Sequence, residues 1–232
     1  TFRRKKDAEE LSCGFEDNKV FAAQNVSKSK SGLVNDAKNA KLLNISYDKF
    51  VRQASAVYGE SSAYLVRNKK DEPSDEMMKE MYAIASVHQR NSKAYGVNSE
   101  PAKDFRKKGE SQRNELPLMR TAIAAEINAL FGGTDYSYGA TMWDGAEQAQ
   151  FSSNDMRRST GRFEIHMNTM GWKISDGHYA KWKKNVGKSF KAPQIRIAPT
   201  HFNDGKRNMN AGKTRLQSTA VYGRTIFWKG TK

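Results

Sequence analysis

Hydrophobic positions recur at three- and four-residue intervals in three stretches, each framed by helix punctuation. After Ser46, a residue type that caps helix N-termini, Phe50, Val51, Ala54 and Val57 share a face. They predict a helix over 47–58, broken by Gly59. A second helix is predicted over 75–91. Asp75 and Glu76 stand in its first turn, where negative charge complements the helix dipole, and Met77, Met81, Ile84, Ala85 and His88 form one stripe. A third is predicted over 117–131, with Met119, Ile123, Ile127 and Leu130 on one face. Pro117 suits its first turn and Gly132-Gly133 its exit.

The texture changes after residue 150. Residues 162–167 and 194–197 alternate polar and apolar, and 219–228 are rich in β-branched and aromatic residues, with Gly223 at a bulge position. Residues 1–46 are polar and lack a clear period, and 27–32 read as a linker. The expected architecture is mainly α within an α+β class: an N-terminal arm (1–46), a helical region (47–150), and a C-terminal region (151–232) with some β structure. No internal repeat is visible.

Composition narrows the picture. The 232 residues fit one large domain, or one domain with an extension, and a hydrophobic share of 37% suffices for a core. No apolar run nears the roughly 20 residues that span a bilayer, so membrane insertion is not expected. The chain starts at Thr1 without a signal-like segment and reads as a fragment of a longer or processed protein. The lone Cys13 rules out an internal disulfide and has no paired histidine to activate it.

The formal charge of +15 is unevenly spread: residues 1–150 hold 23 Lys and Arg against 21 Asp and Glu, and residues 151–232 hold 17 against 4. The last third is therefore a basic module that attracts polyanions. In it Trp172, Tyr179, Trp182 and Phe190 interleave with Lys173, Lys181, Lys183, Lys184, Lys188 and Lys191. That mixture suits single-stranded nucleic acid or an acidic glycan, and equally a basic surface over an aromatic core.

The chemistry-bearing segment is Val57-Tyr58-Gly59-Glu60-Ser61-Ser62. A carboxyl at the end of an apolar helix meets partial desolvation, which favours its protonated form. A protonated Glu can donate to a glycosidic oxygen. The competing reading is a solvated helix-terminal glutamate. The four histidines, His88, His166, His178 and His201, lack metal-ligand spacing, and His88 sits on an apolar stripe as a core residue would. The acidic run Asp71, Glu72, Asp75, Glu76 lacks the pattern of a calcium loop and reads as a solvated helix start. No cofactor or metal is called for.

Tyr58-Gly59-Glu60-Ser61 is followed in order by Met81-Tyr82-Ala83-Ile84-Ala85-Ser86-Val87-His88-Gln89-Arg90-Asn91, by the stretch 122–133, and by Asp135-Tyr136-Ser137-Tyr138-Gly139-Ala140-Thr141-Met142-Trp143. This succession resembles the spore-cortex-lytic and cell-wall hydrolase family over about 47–150. The resemblance implies a lysozyme-like fold and cleavage of peptidoglycan between N-acetylmuramic acid and N-acetylglucosamine, with Glu60 as general acid/base. Two departures stand out. The gap between Glu60 and the second helix is longer and carries Asn68-Lys69-Lys70-Asp71-Glu72-Pro73, and Gln89-Arg90-Asn91 replaces the family's Asn-Arg, which displaces the asparagine.

A second carboxylate would come from Asp135 or Asp144, each of which also reads as a turn residue. Without one, a lytic transglycosylase is the favoured form of the reaction. Substrate contacts are expected from Tyr58, Ser61, Ser62, Asn91, Tyr136, Ser137, Tyr138 and Trp143. The aromatics among them serve equally as core, and the two serines equally as caps. With its basic module the chain looks like an antibacterial effector of a type VI-like secretion system. Such an effector is secreted or injected, acts on the cell wall in a target periplasm, and is countered by an immunity protein. The rival reading is a nucleic-acid-binding or nuclease toxin domain that uses residues 151–232; nucleic acid is the less favoured partner.

Overall fold

The computed structural model describes residues 2–4, 19–22, 41–91, 96–145, 171–186, 202 and 215–231. Residues 27–32, the alternating stretches 162–167 and 194–197, and Cys13, His166, Phe190 and His201 lie outside them. The fold is α+β: helices with two small sheets. By contact density the chain divides into two units, Thr1–Tyr136 and Ser137–Lys232.

The first unit opens with an antiparallel sheet of β1 (Phe2–Arg4), β2 (Lys19–Ala22) and β3 (Lys41–Ser46), in the order β1-β2-β3. The arm foreseen for 1–46 thus contains three strands. β3 runs directly into α1 (Tyr47–Glu60) at Ser46, whose hydroxyl accepts the Lys49 N–H. The helices α2 (Asp75–Arg90), α3 (Glu100–Lys107), α4 (Glu110–Glu115) and α5 (Pro117–Leu130) follow. The sequence pattern gave no helix for α3 or α4.

The three foreseen apolar stripes are buried together. Phe50, Ala54 and Val57 of α1, Met81, Ile84 and Ala85 of α2, and Ile123 of α5 are sealed from solvent. Each large side chain so buried stabilises the unit by about 1.5–3 kcal/mol. Gly59 does not break α1, which continues to Glu60 and ends at Ser61 in extended conformation, with the Ser61 N–H bonded to the Val57 carbonyl. The glycine serves packing instead: a Cβ at 59 would lie 2.5 Å from Ser99 Oγ and 2.9 Å from Ala102 Cβ, so its absence lets α3 press against α1.

In the second unit a four-stranded sheet has the order β4-β7-β6-β5, from β4 (Met142–Gly145), β5 (Trp172–Lys173), β6 (Arg215–Tyr222) and β7 (Thr225–Thr231). β5 runs parallel to β6, and the other pairs are antiparallel. Between β5 and β6 in sequence lies α6 (Asp176–Val186), started by Ser175, whose hydroxyl accepts the His178 N–H. Trp172, Ile174, Trp182, Leu216, Val221, Ile226 and Trp228 form the core.

The single strand expected over 219–228 is a hairpin. Gly223, at φ +52°, is the first central residue of its two-residue turn, a place where positive φ is needed. The bulge falls at the Ser218–Ala220 step of β6, not at Gly223. Reading the run as one strand overlooked that a lone glycine can reverse a chain as well as kink it.

Candidate active site around Glu60

Glu60 is the last residue of α1 and is half-buried. Its carboxyl lies directly against the backbone of Gly96, where φ is +73°. Any side chain at 96 would overlap Glu60 Oε1, Cγ and Cδ. Glycine is required there twice over, for the left-handed backbone and for the space. One wall of the site is therefore bare peptide, which fixes where the carboxyl can point.

The segment after Glu60 is anchored from beneath. Ser61 is buried; its hydroxyl donates to the Tyr58 carbonyl at 3.0 Å and accepts the Ala63 N–H at 3.3 Å, so Ser61 is the cap of the 3₁₀ turn Ser62–Leu65. Ser62 gives both its donors to one carboxylate: its N–H meets Glu80 Oε2 at 2.8 Å and its hydroxyl meets Oε1 at 2.9 Å. Glu80, on α2, is fully buried. A buried carboxylate is tolerated only when well hydrogen-bonded, so this pair is a strong tie between α2 and the turn beside Glu60. Sequence reasoning missed Glu80. The available signal was its place four residues before Ile84, on the side of α2 that carries the apolar stripe.

On that turn Tyr64 and Leu65 stay 47% and 45% exposed, four and five residues beyond Glu60. They are large flat or apolar faces on the turn that follows Glu60, of the kind on which a sugar ring rests. Tyr58, expected to touch substrate, is instead largely buried, 5.7 Å from the Phe105 ring. Burial first, then the Asp104 carboxylate, raise its pKa.

Asn91 is the C-cap of α2, with its N–H bonded to the Val87 carbonyl. Its neighbour Arg90 grips Asp135, Nη1 to Oδ2 at 2.9 Å and Nη2 to Oδ1 at 3.4 Å. A carboxylate held by a guanidinium fork is fixed in place and suits positioning of the chain. Tyr136 packs edge-on to Tyr82 at 6.0 Å, with Lys79 Nζ 5.9 Å from its ring centre.

The remaining expected residues belong to the second unit. Ser137 is buried, and its carbonyl accepts the Ala140 N–H. Tyr138 is 64% exposed and, at φ +52°, is the sole non-glycine residue in the left-handed region among the described residues. Trp143 and Asp144 lie on β4, the tryptophan half-buried and paired with Phe227, the aspartate buried and paired with Ile226.

Two further ionisable groups are buried in the helical unit. Glu126 of α5 is sealed from solvent; Gln89 Nε2 donates to its Oε1 at 2.7 Å, and its Oε2 has no hydrogen-bond partner among the described residues. Desolvation pushes its pKa up to about 8, against the opposing pull of the Gln89 bond. His88 of α2 is buried too, and desolvation lowers its pKa to about 4, which keeps the ring neutral. In the second unit, His178 Nδ1 lies 2.8 Å from Ser218 Oγ, and burial, then Lys181, lower its pKa. Of the acidic run at the start of α2, Glu72 pairs with Arg120 and Asp75 with Lys79, both at the surface.

No protein-family model matches this chain, and comparison with curated proteins and with solved structures finds no significant similarity. No helix among the described residues is long and apolar enough to cross a membrane.

Proposed function

We propose that the helical unit is lysozyme-like and cleaves the glycan strands of peptidoglycan between N-acetylmuramic acid and N-acetylglucosamine, with Glu60 as the general acid. The observation that carries this reading is the setting of Glu60. It is a half-buried carboxyl at a helix end, with bare backbone at Gly96 on one side and a turn pinned to buried Glu80 on the other. Such a carboxyl is held in one place and partly shielded from water, as protonation of a leaving glycosidic oxygen requires. The ordered motifs from Tyr58 to Trp143 support the same reading. In the effector version, the protein is delivered to a target cell's periplasm and blocked by an immunity protein at this cleft.

The test is mass spectrometry of fragments released from purified peptidoglycan by the parent and by Glu60→Gln. Reducing muropeptides from the parent alone identify a muramidase, and anhydro-muropeptides from the parent alone a lytic transglycosylase, in which Glu60 later acts as base while the sugar's own hydroxyl closes the ring. Equal release by both proteins rejects Glu60 as the acid.

A second reading draws on the basic C-terminal region, where Lys181 Nζ lies 4.6 Å from the Tyr222 ring centre and the Arg215 guanidinium 4.8 Å from that of Phe202. Cations over aromatic rings suit a polyanion with flat groups, single-stranded nucleic acid included. It predicts binding that weakens linearly in log salt. Absence of any DNA or RNA shift at low salt removes it.

A further inference from the structure

Along the N-terminal half of α1, from Tyr47 to Arg52, lies a pocket of about 540 Å³ that Glu60 does not line. Its walls bring together Arg52 of α1, Arg106 of α3 and Arg113 of α4, with Tyr47, Asp48 and Asn98. The volume is in the range of small-molecule sites.

Arg113 is the unusual member. It is only 5% exposed, yet it forms no ion pair among the described residues. Its Nε donates to the Phe105 carbonyl at 3.1 Å and its Nη1 to the Tyr47 hydroxyl at 3.3 Å, and the guanidinium lies 5.5 Å from the Phe105 ring centre. These contacts orient the group without neutralising it. A buried cation without a counter-ion is expensive, and the usual remedy is an anion.

The neighbouring arginines are not committed to carboxylates either. Arg106 Nη1 donates to the buried Ser55 hydroxyl at 2.9 Å, and Arg52 is exposed at the rim. Neither forms an ion pair among the described residues. Against the three guanidinium groups stands the single carboxylate of Asp48, which leaves the pocket a formal excess of two positive charges.

We infer that this pocket is a binding site for a phosphomonoester dianion, gripped by Arg52, Arg106 and Arg113. The charge matches a dianion, and a guanidinium fork matches the geometry of phosphate oxygens. Asp48 at the rim disfavours longer polyanions and leaves room for a hydroxyl-bearing group on the ester. Glu60 is not among the lining residues, and the inference does not depend on the glycan-cleavage reading.

The experiment is calorimetric titration of the full chain at fixed ionic strength in chloride, with inorganic phosphate as first probe. A hexose phosphate and a nucleoside monophosphate follow, to distinguish the two sources of the group. The parent is expected to bind phosphate saturably below about 10 mM, and the exposed-rim variant Arg52→Glu to bind at least about tenfold more weakly, because a repelling charge replaces an attracting one. Phosphate should also raise the thermal midpoint of the parent and not of Arg52→Glu. Arg113→Lys keeps the charge but loses the fork, and is expected to fall between them. Arg52→Glu does not touch the core, so loss of binding there is not loss of fold, and circular dichroism checks this. Whichever ester binds more tightly than phosphate names the source, and if neither does, the assignment to a phosphomonoester is overturned. Absence of saturable binding to the parent, or affinity within about twofold in Arg52→Glu, overturns the proposal.

Discussion

The two units treat charge in opposite ways. In the helical unit Glu80, Glu126, His88 and Arg113 are buried among the helices, while the sequence as far as residue 150 is nearly balanced in charge. In the second unit the described core is a cluster dominated by Trp172, Trp182 and Trp228, and Lys173, Lys181 and Arg215 lie over aromatic rings. Under the reading proposed above, net charge and chemistry fall in different units. Many solvated lysines make a field that recruits, whereas a few desolvated groups make a site. Each of the following changes is aimed at one group of the helical unit and leaves the basic residues of the second unit in place.

The largest effect is expected from Glu60→Gln. It removes the proton donor and keeps the shape, so glycan cleavage should fall by about 10²- to 10⁴-fold with wall binding intact. A pull-down on purified walls beside a product assay separates the two. Loss of both together would break the division of labour between the units.

Next comes Glu80→Gln. The amide keeps one acceptor but turns a donor toward Ser62, which presents two donors of its own. Leaving a buried donor without its partner costs about 1–3 kcal/mol, so both stability and the placement of Glu60 should suffer. We expect kcat to fall by up to about a hundredfold with KM little changed, as for a misplaced catalytic group. Ser62→Ala, which loses only the hydroxyl bond, should give a smaller fall in the same parameter. A rise in KM alone for either variant would show that Glu80 acts on substrate and not on position.

Gly96→Ala should act more mildly on stability and sharply on the carboxyl. The left-handed backbone costs an alanine about 1–2 kcal/mol, and the new methyl must displace Glu60. The expected signature is reduced cleavage in a protein whose unfolding midpoint shifts only slightly, measured by product release and urea denaturation. Full activity would mean that the contact between Gly96 and Glu60 does not set the acid's position.

These targets also mark what the sequence could reveal. The helices over 47–58, 75–91 and 117–131 were legible because their apolar spacing is long and regular, and each was found within two residues of its observed ends. The helix α3 was not, because Ala102 and Phe105 are its only buried residues and its other positions are mostly charged. Glu60 stood out through its local motif, and Ser62 through adjacency. Glu80 and Gly96 did not, because their meaning lies in a tertiary neighbour 18 residues away in one case and 36 in the other. Arg113 reads as one more surface cation until the fold closes over it. The hairpin at Gly223 was legible in principle from a glycine midway in an overlong strand.

The effect confined to stability concerns Glu126 and His88. Glu126 has a folded pKa of about 8 against an ordinary 4.5, so the unfolded chain loses its proton first as pH rises. Its contribution is intact below pH 4.5 and drains away up to pH 8, at about 1.4 kcal/mol per pH unit. His88 has the opposite sign. Its pKa of about 4 lies below the ordinary 6.5, so its contribution is intact above pH 6.5 and drains away as pH falls toward 4. Between pH 4.5 and 6.5 the two slopes oppose and largely cancel, and above 6.5 only the Glu126 loss remains. Glu126→Gln keeps an oxygen to accept the Gln89 amide and has no proton to lose. Urea unfolding from pH 4.5 to 8 should therefore show the parent flat and then falling. The variant should rise to pH 6.5 and then level off, more stable than the parent at pH 8. If the two curves run parallel, Glu126 does not hold its proton in the folded unit. The contrast between a chemistry of buried groups and a field of exposed ones would then rest on Glu60, Glu80 and Arg113 alone.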